Sequence, residues 1–314
     1  MKKVNVILST YNGESFLKPL LESIRQQTYK NMDVYIRDDG SSDATNEIIQ
    51  EYCALCDEGI HFYLIEDDMG NLGSGSSFAY ATAVSPKADY YAFADQDDIW
   101  KPEKIERAVD ILDRQKEDVP FLYASNYEFC DDKLNVLSMG RLVEKYEDMN
   151  VGRAFMTYGA SLGQGFTMVF NHALKEMAFQ KENLKVFYQD AWLVAVIVGI
   201  EGGYYYDEYP TALYRRHIGT VTPTGNGTKA MWEWRLKEFL GGTYFKQISE
   251  GIDTYSRLYS KHMKKEEDIT FVKIFGGENG FGKNRLKKVF YPYKLKKTLM
   301  EEVTLRFAFL CGKV

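Results

Sequence analysis

The chain has 314 residues, 45% hydrophobic and 15% aromatic, enough for one large domain or a domain with an extension. Its formal net charge of −6 excludes a general nucleic-acid binder, whose surface would be basic. No apolar run approaches the roughly 18 residues of a membrane-spanning helix, and the first one stops at Leu8, too short for a secretory leader, so the expected location is cytoplasmic.

In chain order, Val4–Leu8 reads as a short buried strand. Leu17, Leu20, Leu21 and Ile24 then recur at helical spacing. Asp33–Arg37 alternates as a strand with Val34 and Ile36 inward, and a turn, Asp38-Asp39-Gly40-Ser41-Ser42-Asp43, leads into a helix carrying Ile48, Ile49 and Tyr52. Cys53 and Cys56 have CxxC spacing, but no second pair completes a zinc site, and both suit a buried helix with reduced thiols. His61–Ile65 is a third strand, Asn71–Ser77 a Gly/Ser loop before a helix through Ala83, and Asp89–Ala94 a fourth strand. Pro102 starts a helix with Ile105, Ala108, Val109 and Leu112 on its apolar face, and Phe121–Ser125 is a fifth strand.

This β-α alternation over about 125 residues predicts an α/β fold: a mostly parallel, doubly wound sheet with helices on both faces. Between about 127 and 225 the alternation fails and mixed strands and loops are expected to close one side of the site. After 228 helical spacing returns, in Trp232, Leu236, Phe239 and Leu240, then in Ile248, Ile252, Tyr255 and Tyr259, with Gly241-Gly242 between them.

In such sheets ligands bind at the carboxyl ends of the strands. Four polar segments fall there: Ser9–Asn12, Asp38–Gly40, Asn71–Ser77 and Asp95–Asp98. Asp95-Gln96-Asp97 offers oxygen ligands to a hard cation held against a diphosphate, and also suits an acidic turn before a helix. Asp39 would accept hydrogen bonds from a nucleobase edge, or serve as plain turn chemistry. Thr10 and Tyr11 would supply backbone contacts and a stacking face. Backbone N–H groups near Asn71, Gly73 and Ser74 would meet phosphate, or simply open a helix. Neither G-x-G-x-x-G nor a P-loop motif follows the first strand.

Together, Ser9-Thr10-Tyr11-Asn12-Gly13, Arg37–Asp43 and Asp95-Gln96-Asp97-Asp98-Ile99-Trp100 resemble the inverting family 2 glycosyltransferases of GT-A fold, over roughly the first 125 residues. The D-Q-D-D-x-W form, the block Gly165–Asn171 and Tyr214-Arg215-Arg216-His217 are most similar to bacterial rhamnosyltransferases of cell-surface polysaccharide assembly, with Phe166 standing where a small or polar residue is usual. The resemblance implies that Thr10, Tyr11 and Asp39 hold the nucleotide, with Asp95 facing the ribose or the metal; Asn71 and Gln96 are further nucleotide-binding candidates. It implies that Asp97 holds Mn2+ or Mg2+ and that Asp190 is the acceptor base; His217 is a further candidate metal ligand. Asp190 also suits a helix cap, and Arg215, Arg216 and His217 a loop with ordinary surface bases.

The implied activity is transfer of a sugar, L-rhamnose from dTDP-rhamnose as the leading donor, to a saccharide acceptor. A UDP-hexose donor, a nucleotidyltransferase and a non-catalytic sugar-nucleotide-binding module are the alternatives. The division expected is a glycosyltransferase domain over 1–225, its nucleotide half 1–125 and acceptor half 126–225, and a helical extension over 226–314. Residues 283–297 carry seven basic residues and no acid, interleaved with Leu, Val, Phe and Tyr, which suits a solvated face or contact with anionic lipid. Contact with a membrane would make the protein peripheral on the inner face of the plasma membrane, with a polyprenyl-diphosphate-linked acceptor within reach.

Overall fold

A computed structural model describes the whole chain except residues 56–57, 141–142, 158–161, 181–185, 187, 216–242, 278–282 and 313–314. Two compact units result. The first comprises Met1–Glu144, Leu162–Asp190 and Gly202–Arg216; the second comprises Lys145–Ser161, Ala191–Glu201 and His217–Val314. The boundary expected at 225/226 lies outside the described residues.

The first unit begins β1 (Val4–Thr10), α1 (Leu17–Arg25), β2 (Met32–Asp38), α2 (Thr45–Cys53), β3 (Ile60–Leu64), α3 (Ser74–Val84), β4 (Tyr90–Asp95). It continues β5 (Ile99–Trp100), α4 (Lys104–Leu112), β6 (Phe121–Cys130), β7 (Val136–Met139), β8 (Val169–Asn171), α6 (His172–Ala178) and β9 (Gly203–Arg215), with α5 (Val151–Met156) in the second unit before β8. The strands form one sheet in the order β3-β2-β1-β4-β8-β6-β9-β5, with β7 on β6. β3, β2, β1 and β4 are mutually parallel. The four leucine and isoleucine positions of α1 are fully buried, as their spacing predicts.

Two local expectations change. The fifth strand, β6, is not the neighbour of β4: the three-residue β8 lies between them, antiparallel to both. Its last residue, Asn171, accepts hydrogen bonds from Phe121 N (3.0 Å) and Leu174 N (3.1 Å), so one side chain sets the start of β6 and caps α6. The loop expected over Asn71–Ser77 is shorter, because α3 already starts at Ser74. Gly73 turns the chain into that helix at φ +76°, a conformation that favours glycine.

The second unit holds α5, most of α7 (Gln189–Gly199), α8 (Thr243–Tyr259), α9 (Glu266–Phe275), α10 (Arg285–Val289) and α11 (Leu299–Leu310). Ile248, Ile252, Tyr255 and Tyr259 of α8 are all buried, as predicted, and Tyr255 packs edge-on against Phe155 and Trp192. The helix expected from Trp232 to Leu240, the Gly241-Gly242 break and Cys56 lie outside the described residues. Cys53 is half-buried near the end of α2, its thiol pushed up by burial, which agrees with the structural reading of that cysteine. His172 opens α6 and meets the Tyr91 hydroxyl at 3.1 Å, a structural contact.

Candidate active site

The parallel register brings the candidate residues to one edge of the sheet. Thr10 stands opposite Asp38, and Ser9 stands opposite both Arg37 and Asp95. Asp39 N extends the pairing with a bond to Thr10 O at 2.8 Å. β1 lies between β2, which leads outward to β3, and β4, from which the sheet grows the other way. The point where strand order reverses leaves a crevice beyond the strand ends.

Gln96 closes onto the end of β1. Its Oε1 accepts from Thr10 Oγ1 (2.6 Å) and Tyr11 N (2.9 Å), and its Nε2 donates to Tyr11 O (3.2 Å). A Cβ on Gly13 would lie 2.6 Å from Gln96 Oε1 and 2.7 Å from Thr10 Oγ1, so this clasp requires glycine. Thr10 is buried, whereas Tyr11 is 50% exposed and presents its ring to solvent. The loops after β1 and β2 are also knitted together: Asn12 N donates to Ser41 Oγ (2.8 Å), and Asn12 Oδ1 accepts from Ser42 N (2.8 Å).

Asp39 is buried and engaged on both oxygens. Leu72 N and Gly73 N each donate to it at 2.8 Å, and Asn71 Nδ2 donates to its carbonyl at 2.8 Å. The charge is matched by Arg37, whose side chain is 1% exposed and pairs with Asp39 directly. The same guanidinium grips Asp67 with Nε (2.9 Å) and Nη2 (3.0 Å), Gly70 O (2.8 Å) and Ser77 Oγ (2.9 Å). Burial raises the Asp67 carboxyl, but bonds from Arg37 and from Met69 N outweigh it and leave the group below its ordinary value. Asp39 is thus tied to the 67–73 loop. Arg37, which sequence reasoning passes over, is the hub; an arginine beside two aspartates in a turn is its one local signal.

The acidic corner follows β4. Asp95 and Asp97 are half-buried, and Asp98 is fully buried. The Asp95 carboxyl is pushed up to about 8 by removal from water, then by the charges of Asp97 and Asp190. Three of the predicted residues therefore share one field. Asp190 is the second residue of α7, where a carboxylate meets the positive end of the helix. Gly165 packs behind it: a Cβ there would sit 3.5 Å from Asp190 Cβ. Asp98 is raised well above its ordinary value by burial, then by Asp97 and Asp95. It accepts from Arg215 N at 3.3 Å and so joins the acidic corner to β9. Phe166 is buried, stacked on Tyr214 with centroids 5.4 Å apart, which accounts for a large apolar side chain at that position.

Oxygen-rich carboxylate sets of this kind suit Mg2+ or Mn2+, which take one or two carboxylates and complete their shell with substrate phosphate and water. The negative charges of Asp97 and Asp190, both pressing on the Asp95 carboxyl, fit such a cation. Among the described residues no group of three or more His, Cys, Asp or Glu side chains is placed to hold a metal ion by itself. Arg216 and His217 lie outside the described residues.

An open, mostly parallel sheet with nucleotide-type loops and an acidic corner at its switch point defines a sugar-nucleotide transferase class. The sequence profile of glycosyl transferase family 2 matches residues 5–168, and the chain belongs to that family. It is similar to an uncharacterized glycosyltransferase of Rickettsia typhi, 27% identical over 241 residues, covering 75% of this chain and 72% of that protein. It is similar also to the dTDP-rhamnosyl transferase RfbG of Shigella flexneri, 27% identical over 251 residues, covering 77% of this chain and 82% of that one. A match to a Rickettsia conorii glycosyltransferase, 32% identical, spans 21% of that protein. The crystal structure of S. aureus TarS 1-349 in complex with UDP-GlcNAc superposes with a TM-score of 0.52 at 17% identity, covering 99% of this chain and 92% of that one. The fold is that of the GT-A glycosyltransferases.

Proposed function

We propose that the protein is a metal-dependent inverting glycosyltransferase that moves L-rhamnose from dTDP-rhamnose to a saccharide acceptor in bacterial surface-polysaccharide synthesis. The observation that carries the reading is the acidic corner: the charges of Asp97 and Asp190 both act on Asp95, beside the joined ends of β1 and β2. Likeness to a protein named dTDP-rhamnosyl transferase over 77% of the chain supports the donor.

The nucleoside stacks on Tyr11 and lies against the loop organised by Asp39 and Asn71, with Thr10 and Gln96 fixing the end of β1. Asp95 faces the ribose, and Asp97, with His217, holds the metal. A Mn2+ or Mg2+ ion there supplies Lewis-acid stabilisation of the diphosphate leaving group. Asp190 accepts the proton of the acceptor hydroxyl, whose oxygen attacks the anomeric carbon from the face opposite the nucleotide. One displacement inverts that carbon. Residues 126–225 form the acceptor half, and 226–314 an extension whose basic segment 283–297 works beside a membrane carrying a polyprenyl-diphosphate-linked acceptor.

A thermal-shift panel of nucleotide sugars with Mn2+ tests the reading, because a ligand that binds the native state raises its stability by mass action. dTDP-rhamnose is expected to give the largest shift. A larger shift with a UDP-hexose moves the donor assignment, and binding without nucleoside-diphosphate release would make the protein a non-catalytic module.

A further inference from the structure

α11 is buried on one side and bare on the other. Leu305, Ala308 and Phe309 are buried, whereas Leu299, Met300, Val303, Phe307 and Leu310 are exposed, Leu299 by 82% and Phe307 by 59%. At about 100° per residue the five exposed side chains occupy a single sector of roughly 100°. Leu286 and Phe290, 65% and 78% exposed, add apolar surface at α10.

Arg306 holds the two elements together. Its Nη1 donates to Val289 O (2.8 Å) and Tyr291 O (2.6 Å), and its Nη2 to Tyr293 O (2.8 Å). The acids of the segment 283–312 are Glu301 and Glu302, and both are turned to internal partners. Glu302 accepts from Arg306, Leu295 N (2.9 Å) and Lys296 N (2.7 Å), while Glu301 completes a capping box with Thr298. Lys283, Lys287, Lys294 and Lys297 are exposed. Lys287 falls between Leu286 and Phe290, and Lys297 lies two residues before Leu299. An apolar stripe is thus bordered along the chain by cations, in a protein of net charge −6.

We propose that this surface seats the protein on an anionic lipid bilayer, with the α11 stripe and Phe290 entering the acyl boundary and the lysines meeting headgroup phosphate. A lipid surface meets both features at once, apolar area and positive charge. The proposal rests on the reading that the enzyme works beside a membrane, and it adds which residues enter lipid and which lipid charge they require.

The test is sedimentation of the full chain with phosphatidylcholine vesicles and with vesicles containing phosphatidylglycerol. Binding is expected to the anionic vesicles alone and to weaken with salt. Each lysine near an anionic surface contributes about fivefold, so the neutralising variant K287A/K294A/K297A should lower partitioning on the order of 100-fold. Val303→Glu/Phe307→Glu should abolish it; both side chains are exposed, and an unchanged melting temperature verifies the fold. Equal binding to neutral vesicles, or binding undiminished in either variant, overturns the proposal. So does a dimer in light scattering that Phe307→Glu dissociates while vesicles bind nothing. Nucleoside-diphosphate release measured without vesicles reports on the catalytic reading separately, and Phe307→Glu should leave it unchanged.

Discussion

Arg37→Met removes a buried cation and leaves the buried carboxylates of Asp39 and Asp67 without it. The Arg37 side chain is 1% exposed, and those of Asp39 and Asp67 are 4% and 7% exposed. Beyond its direct pairing with Asp39, the guanidinium makes four further bonds of 2.8–3.0 Å, to Asp67 twice, Gly70 O and Ser77 Oγ. Summing charge-assisted bonds at roughly 1.5–3 kcal/mol each would overshoot, because the cost of burying the ion offsets much of it. The relevant scale is the cost of breaking a buried pair from one side, about 3–5 kcal/mol. Urea denaturation of the variant should show a loss in that range. Adding Asp67→Asn should recover part of the loss, because it removes one stranded charge. The 67–73 loop should loosen with the loss of Arg37, so nucleotide affinity should fall together with stability. A loss below about 1 kcal/mol, or a double variant no more stable than the single one, would refute the claim that charge compensation holds this loop.

Three other outcomes follow from the same geometry. Gly13→Ala pushes Gln96 and Thr10 apart and should cost roughly 1–3 kcal/mol, with nucleotide-induced thermal shifts reduced more than the melting temperature itself. Asp190→Asn should keep donor binding while transfer falls on the order of 10²-fold or more; near-normal turnover would leave Asp190 as a helix-end carboxylate alone. Asp268 is pushed up to about 6 by burial, against a lowering bond from Val151 N at 2.7 Å. Its folded value lies above the unfolded one, so its contribution is full below the unfolded value and is lost as pH rises through about 6. Relative to Asp268→Asn, the wild type should therefore gain roughly 1–1.5 kcal/mol between pH 7.5 and pH 5, read from denaturant midpoints; equal pH slopes would contradict the assignment.

The first half of the sheet was legible because its signals are local. The apolar runs of β1, β2, β3 and β4 and the leucines of α1 each declare themselves within a few residues, and the parallel register then carries Ser9, Thr10, Asp38 and Asp95 to one edge. What could not be read is long-range. β8 has three residues and enters the sheet between β4 and β6, more than 70 positions after β4, where no alternation announces it. Arg37 reads as the polar end of a strand; its burial depends on Asp67, Gly70 and Ser77, which lie 30–40 positions further along the chain. α3 starts at Ser74, earlier than its Ser and Gly residues suggest, because these are poor helix formers whose preference is overridden by tertiary bonds from the 72–73 backbone to Asp39. The bare stripe on α11 obeys helical spacing but faces solvent, which composition alone does not distinguish from a core face.

The proposed transfer requires Asp97 to hold a divalent cation against a sugar-nucleotide diphosphate. Release of dTDP from dTDP-rhamnose, followed with Mn2+ for the wild type and for a folded Asp97→Ala variant, tests it most directly. The wild type should release dTDP slowly and lose that release to a chelator, and the variant should release none; release unaffected by chelator, or equal in the two proteins, would rule the metal role of Asp97 out.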